Sequence, residues 1–174
     1  NIEFSKEVIS HELLVTYQNT GSQALGNTSV YKSYTRLLLP KEAKVVAVRM
    51  YDPYGGSEDI NFDTYDLEER KEIGFLINLL PKEIKKLKVV WNIDNTKLAN
   101  GGEYNLFVRK QAGTDNDGLK INLRGIDFSL TKGTPSVYTT DLNEDFHKNI
   151  FLLPKWQLNL NQKKESFSEE KLKD

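Results

Sequence analysis

Aromatic and acidic side chains surround a glycine-rich stretch between residues 51 and 65. A flat aromatic ring packs on the apolar face of a pyranose, and nearby carboxylates accept hydrogen bonds from the sugar hydroxyls. The stretch therefore favours a carbohydrate-binding loop as one function open to this chain. Its possible ligand-binding residues are Tyr51, Asp52, Tyr54, Asp59 and Tyr65.

Acidic loops raise the alternative of calcium binding. The segment Asp115-Asn116-Asp117-Gly118 places oxygen side chains at alternate positions before a glycine, as half of a calcium loop does. The distal Glu of an EF-hand is absent, and a hairpin turn is the simpler interpretation. Two further groups could bind calcium between sandwich loops: Asp52 with Glu58 and Asp59, and Asp141 with Glu144 and Asp145. We predict no cofactor, with calcium as the alternative.

Paired carboxylates could also hydrolyse glycosidic bonds, which requires an acid and a base or nucleophile at a defined separation. With 25 acidic residues in the chain, some pairs will be close by chance. His11 and His147 are the only imidazoles, and neither lies in a recognisable triad motif. We therefore predict no catalytic residues and no enzymatic activity, and a hydrolase using loop carboxylates is the third alternative.

A basic stripe, formed by Lys82, Lys85, Lys86 and Lys88, could bind phosphates or an anionic envelope polymer. Alternation places Lys86 and Lys88 on the outer face of a strand, where such charges also discourage edge pairing. Solubility is the simpler interpretation. The chain has no phosphate-cradling glycine motif, because Gly55-Gly56 and Gly101-Gly102 lack the downstream Gly, Lys and helix.

Composition limits the possible partners. The 174 residues are 38% apolar, which is enough for a core, and the formal net charge of −1 argues against a dedicated nucleic-acid binder. Cysteine is absent, so the fold uses neither disulfides nor thiolate-bound zinc. No apolar run is long enough for a spanning helix, and no signal peptide opens the sequence. Because the first residue is Asn1, we expect the chain to be an excised piece of a longer protein.

Period-two alternation dominates the sequence and predicts the elements that position these side chains. The clearest case is Leu87, Val89, Trp91 and Ile93, alternating with more polar neighbours. Strands are predicted near 11–17, 30–39, 45–50, 60–64, 73–79, 87–93, 104–108, 119–123 and 126–130, with shorter candidates at 137–142, 150–153 and 156–160. These spacings predict one antiparallel, immunoglobulin-like β-sandwich domain over residues 1–161, followed by a polar tail over 162–174.

A short sequence recurs where strands are predicted to end. Leu39-Pro40-Lys41-Glu42 returns as Leu80-Pro81-Lys82-Glu83, and Leu153-Pro154-Lys155 follows near the end. Proline stops a ladder because it has no amide hydrogen, so a turn is predicted at each site. The gaps between the prolines are unequal, which argues against a solenoid. We predict that the first two copies are equivalent sheet corners.

Three groups of residues carry a resemblance to a known family: Tyr31-x-x-Tyr34-x-Arg36-Leu37-x-Leu39-Pro40-Lys41, then Gly74-Phe75 with Ile77 and Pro81, then Tyr104-x-Leu106-x-x-x-Lys110-Gln111-x-Gly113-Thr114. Together they resemble the C-terminal region of bacterial proteins in the family called domain of unknown function 4012. The resemblance extends over residues 12–123, and the Lys-Gln-x-Gly-Thr segment is its most particular part.

That resemblance implies an extracytoplasmic, cell-surface module, anchored to the membrane by an N-terminal segment outside this chain. It implies no catalytic residues. We therefore expect a non-enzymatic structural or interaction module, whose partners are an upstream domain of the same protein or another surface protein. A carbohydrate-binding module acting on a cell-envelope glycan is the alternative, and we expect no nucleic-acid partner.

Overall fold

The computed structural model describes residues 1–21, 30–98, 100–111, 117–131 and 133–157. It is all-β, and its sheets pack in a sandwich-like arrangement, as the sequence predicts. The strands are β1 (Ile2–Phe4), β2 (Val8–Gln18), β3 (Tyr31–Pro40), β4 (Lys44–Tyr51), β5 (Ser57–Asp59), β6 (Asp63–Asp66), β7 (Arg70–Leu79), β8 (Ile84–Asp94), β9 (Gly102–Val108), β10 (Gly118–Gly125), β11 (Phe128–Leu130), β12 (Val137–Asp141) and β13 (Phe146–Pro154).

Two compact units divide the chain: Asn1–Ile9 with the described part of Asp94–Asp174, and Ser10–Ile93. The expectation of one domain over residues 1–161 stays a prediction, because compactness does not reveal which segments fold alone. The predicted tail, 162–174, lies outside the described residues, as do Leu158 and Leu160 of the predicted last strand. That strand is wrong at Trp156, which lies in a helical segment over residues 155–157.

In the first unit, strands in the order β12, β10, β1 lie against a three-stranded sheet in the order β11, β13, β9. Both sheets supply the apolar core, which includes Phe4, Ile121, Phe128 and Ile150. β1 pairs with β10 in parallel, whereas the pairings of β10 with β12 and of β13 with β9 and β11 are antiparallel. The sequence pattern does not predict β1, since three residues are too few to show a period.

In the second unit, strands in the order β2, β8, β4, β5 pack against a sheet in the order β3, β7, β6. Alternate residues of the facing strands form its core, among them Val48, Phe75, Ile77 and Val89. These follow the predicted period of two, which buries one face of each strand. A bulge at Val46 lets β4 keep Val48 and Met50 buried despite a break in its alternation.

The two Pro-Lys-Glu copies are sheet corners, which confirms that part of the prediction, but they are not equivalent. One carries the chain from β3 to β4 and the other from β7 to β8, each time from the three-stranded sheet of the second unit to its opposing sheet. The turns are nevertheless offset by one residue, because Ala43 N donates to Pro40 O while Glu83 N donates to Leu80 O. Only the second corner therefore places a lysine, Lys82, at positive φ (65°).

One predicted strand is wrong in detail. The alternation over residues 60–64 predicts a single strand, but the structure has β5 before it and β6 at its end, with Ile60–Phe62 connecting them. Ile60 N donates to Val48 O, and its side chain packs on the core of the second unit. The apolar residue thus anchors a connection, which a two-residue period does not distinguish from a strand.

Candidate functional site

Asp52 organises the hairpin between β4 and β5. Its Oδ1 accepts hydrogen bonds from the backbone N–H groups of Tyr54 (2.8 Å) and Gly56 (2.9 Å). A Cβ on Gly56 would lie 2.4 Å from Asp52 Oδ2, so the carboxylate needs a glycine at that position. This geometry gives Asp52 a structural role in the turn.

Asp59 lies at the end of β5 and pairs with Arg49 of β4, whose Nε donates to Asp59 Oδ1 at 2.6 Å. On the same face Lys88 of β8 lies opposite Arg49 and forms an ion pair with Glu12 of β2. The hydrogen bond to Glu12 raises the pKa of Lys88. Two cations are thus flanked by two anions across four strands, and this row is electrically balanced.

The ring residues of the predicted loop lie apart. Tyr51, half-buried, ends β4, while Tyr54 sits in the turn and is 96% exposed. Tyr65 lies on β6, which belongs to the opposing sheet. The structure therefore does not gather Tyr51, Tyr54 and Tyr65 around one centre.

A different aromatic group forms on the outer face of β3, β7 and β6, where the Tyr34 hydroxyl donates to Asp63 Oδ2 at 3.3 Å. Partial desolvation, together with hydrogen bonds to Tyr65 and Asp63, raises the pKa of Tyr34 to about 12. We give the name tyrosine face to five residues on the outward side of this sheet: Tyr34, Leu38, Asp63, Tyr65 and Leu76. Their registers place Tyr34 opposite Leu76, and both Leu38 and Tyr65 opposite Glu72.

Gly74 makes room for this arrangement. It lies in the centre of β7, between Arg36 of β3 and Asp63 of β6. A Cβ at this position would lie 2.2 Å from Tyr34 Oη and 2.7 Å from Tyr34 Cζ. The missing side chain therefore lets the end of the Tyr34 ring lie against the strand, within reach of Asp63.

A hollow of about 480 Å³ adjoins this group. Its polar lining comes from Glu58, Asp59, Asn61 and Asp63, and its apolar lining from Tyr34, Ile60, Phe62, Phe75, Gly74 and Leu76. The combination of aromatic surface with side-chain acceptors is the chemistry expected of a small polar ligand site.

Of the five possible ligand-binding residues, Asp59 lines the hollow, and Tyr65 is hydrogen-bonded to Tyr34, which also lines it. Tyr51, Asp52 and Tyr54 are not part of its described lining. Sequence reasoning missed Tyr34, Asp63 and Gly74 as members of a site. A glycine in the middle of an otherwise strict alternation was the available signal, because such a glycine marks a close approach.

The other predicted acidic groups have local contacts. Asp145 Oδ1 accepts from the backbone N–H of Lys110, and Asp141 lies on β12 opposite Gly118. Asp115 and Asn116 lie outside the described residues. Among the residues that the structure describes, no group of three or more His, Asp or Glu is arranged to hold a metal ion.

The basic stripe is largely paired within the chain. Lys82 Nζ donates to Thr20 O, Lys85 lies 3.3 Å from Glu83, and Lys88 pairs with Glu12. Alternation is confirmed for Lys86, which points outward on β8 beside Tyr51. These contacts favour a structural and solubilising role for the stripe.

His11 is buried, with 4% of its surface exposed, and its ring stacks on Trp91 at 4.9 Å between centroids and 6° between planes. In the sequence, His11 lies in no recognisable triad motif and Trp91 belongs to the alternating run of β8. Trp91 is half-buried against the core of the second unit. The pair is a packed element of this unit and lies apart from the hollow.

Comparison with known proteins found no family model and no curated protein that matches this chain. Within the described residues, no helix has the length and apolar character needed to cross a membrane.

Proposed function

We propose that this chain is a non-enzymatic, extracytoplasmic interaction module of a membrane-anchored bacterial surface protein. The resemblance of residues 12–123 to the family named above supports the extracytoplasmic setting. That the β-sandwich is immunoglobulin-like is also part of the proposal. The observation that carries an interaction role is the tyrosine face, where Tyr34, Tyr65 and Leu76 are 47%, 49% and 65% exposed on one sheet. Contiguous apolar exposure of this kind typically marks a binding surface.

The contacts of the loop carboxylates support the non-enzymatic part of the proposal. Asp52 holds a turn, Asp59 pairs with Arg49, and Asp145 accepts a backbone hydrogen bond. Each is engaged in positioning the chain. General acid catalysis instead needs a carboxyl group whose proton can reach a substrate.

The cellular setting is tested with a membrane-impermeant amine-reactive reagent on intact cells that produce the natural protein. The module carries exposed lysines, so labelling of its peptides in intact cells is expected. Labelling only after lysis would contradict the extracytoplasmic location, and a cytoplasmic protein in the same sample checks cell integrity.

The interaction is tested by co-sedimentation of the purified chain with isolated envelope fragments. We expect binding that falls when Leu76 and Tyr65 are both changed to Ser, while Tyr54→Ser on the exposed turn has little effect. If the wild-type chain stays in the supernatant, or if the two variants behave alike, the interaction surface is misassigned.

Carbohydrate binding is the second candidate function. The observation that favours it is the Tyr34–Asp63 hydrogen bond beside the hollow, which joins a ring and a carboxylate at one place. Sugars are recognised by this combination of stacking and hydroxyl hydrogen bonds.

A further inference from the structure

We propose that the hollow beside Gly74 binds one end of a neutral oligosaccharide, with Tyr65 and Leu76 as its apolar platform and Asp63 as its principal hydrogen-bond acceptor. This inference rests on the second candidate function. It moves the binding site away from the Tyr51–Tyr54 turn to the tyrosine face.

The size of the hollow fits a small ligand. Its volume of about 480 Å³ lies within the usual range of ligand pockets, roughly 300–1,000 Å³. Tyr65 and Leu76 lie on neighbouring strands beside it, and both expose about half of their surface or more. Leu76 lines the hollow, whereas Tyr65 lies opposite Glu72, four residues away along β7 or about 13 Å. Successive rings of an oligosaccharide, rather than a single sugar, can therefore cover the two side chains while one end enters the hollow.

The polar groups match hydroxyls. A carboxylate offers about four acceptor positions, and the Tyr34 hydroxyl uses one of those of Asp63. Tyr34 is protonated at neutral pH, as an ordinary tyrosine is, and it is therefore the donor in this bond. Asn61, on the same lining, supplies both a donor and an acceptor.

Charge selects against acidic sugars. Glu58, Asp59 and Asp63 line the hollow, and its described lining contains no Lys, Arg or His. The nearby cations have carboxylate partners of their own, because Arg49 pairs with Asp59 and Arg36, opposite Gly74, lies 3.9 Å from Glu72. A uronate or a phosphorylated sugar would meet like charge, so the ligand is a neutral one.

Gly74 sets the geometry. Because a Cβ there would displace the Tyr34 ring, the site depends on a residue that makes no contact with ligand through a side chain. Gly74 and Tyr34 are thus positioning residues, whereas Asp63, Tyr65 and Leu76 would touch the sugar.

The test is an array of neutral hexose and N-acetylhexosamine oligosaccharides, uronic-acid oligosaccharides and Lys-rich peptides, followed by titration of the best binder. We expect neutral oligosaccharides to bind. Asp63→Asn and Tyr65→Ala should each weaken binding about tenfold, the loss of one charge-assisted hydrogen bond or one stacking contact. The matched control, Tyr54→Ala, should stay within about twofold, and thermal unfolding checks that each variant is folded.

Four results would overturn the proposal: no neutral oligosaccharide bound, exclusive binding of uronates, exclusive binding of Lys-rich peptides, or neutral binding that Tyr54→Ala abolishes and Tyr65→Ala preserves. The last result would keep carbohydrate binding but return it to the turn. Envelope co-sedimentation that persists when no purified glycan binds would leave the interaction module intact while removing this site.

Discussion

Two three-stranded sheets of the molecule expose aromatic residues on their outer faces, with different results. The tyrosine face of the second unit has a hydroxyl–carboxylate pair beside a hollow. In the first unit, β9 and β13 expose Phe107, His147 and Phe151, and the rings of Phe107 and His147 meet edge to face with centroids 6.4 Å apart. We call this second set the phenylalanine face.

The difference comes from what lies opposite each ring. On the phenylalanine face, Phe107 is opposite His147 and Phe151 is opposite Glu103, so full-sized side chains fill the rows. On the tyrosine face, Gly74 leaves a gap into which the end of Tyr34 fits. Exposed aromatic surface is therefore common to both faces. Only the tyrosine face combines it with an adjoining hollow and a carboxylate, and Gly74 lets the Tyr34 ring lie beside both.

The largest effect on stability is expected from adding a methyl group at one of two glycines, Gly74 and Gly125. A Cβ on Gly125 would lie 1.9 Å from the backbone oxygen of Phe128, whereas a Cβ on Gly74 meets the movable end of the Tyr34 side chain. We expect Gly125→Ala to lower the free energy of unfolding by about 3 kcal/mol, since the backbone must shift. Gly74→Ala should cost less than about 1 kcal/mol, because Tyr34 can rotate away. Urea unfolding measures the loss of unfolding free energy in both variants. Equal losses would contradict the interpretation that Gly74 makes room only for the movable Tyr34 side chain.

Alkaline titration tests one tyrosine in each unit. The pKa of Tyr34 is raised to about 12, and burial against the core of the first unit raises that of Tyr104. Both tyrosines stay protonated in the folded chain above pH 10, the ordinary tyrosine pKa, while they ionise in the unfolded chain. Their contribution to stability is complete below pH 10 and is lost as the pH rises, for Tyr34 through about 12.

We expect Tyr34→Phe and Tyr104→Phe each to reduce the fall in unfolding free energy above pH 10. The phenolate absorbance of the variant is subtracted from that of the wild type at each pH. The difference reports the pKa of the one tyrosine hydroxyl that the variant lacks. A Tyr34 hydroxyl that titrates at the ordinary value would show that the contact with Asp63 and Tyr65 is absent in solution.

The corner after β7 offers a smaller, stabilising change. Lys82 has φ of 65°, a left-handed conformation that costs a residue with a Cβ about 1 kcal/mol or more. Lys82→Gly should raise the free energy of unfolding by about 0.5 kcal/mol, after the extra chain entropy of glycine is subtracted. Lys82→Ala keeps the strained Cβ and is the control. If both variants are less stable, the hydrogen bond from Lys82 Nζ to Thr20 outweighs the strain.

The smallest effect is expected on the phenylalanine face. Phe107 is 52% exposed, so Phe107→Ala should cost less than about 1 kcal/mol and leave neutral-oligosaccharide binding within about twofold. Titration with the same oligosaccharide used for Tyr65→Ala checks this. A large loss of binding would mean that the phenylalanine face participates and that the two faces are not distinct in function.

Much of the fold is readable in the sequence, because burial of one strand face imposes a period of two. Ile73, Phe75, Ile77 and Leu79 are predicted inward, and all are buried. β1 and β5 have three residues each and are missed, whereas β11, equally short, is predicted because Ile126 extends its alternation to five residues. Pro40 and Pro81 occupy turn positions that differ by one residue, and this difference is also missed, because the two copies have the same Leu-Pro-Lys-Glu sequence.

The site was less predictable for a physical reason. Tyr51 and Tyr54 are near in sequence, but one ends β4 and the other lies in the turn that follows, while Tyr34 and Asp63 are 29 positions apart and meet across β7. The amino-acid pattern alone determined that the chain is built of strands, which apolar side chains of the alternating runs face inward, and that the two Pro-Lys-Glu copies turn the chain. Strand order, the offset of the corners and the place of Gly74 between β3 and β6 were decided only by tertiary structure, because sheet pairing joins distant segments and local sequence carries no record of the neighbour across the ladder.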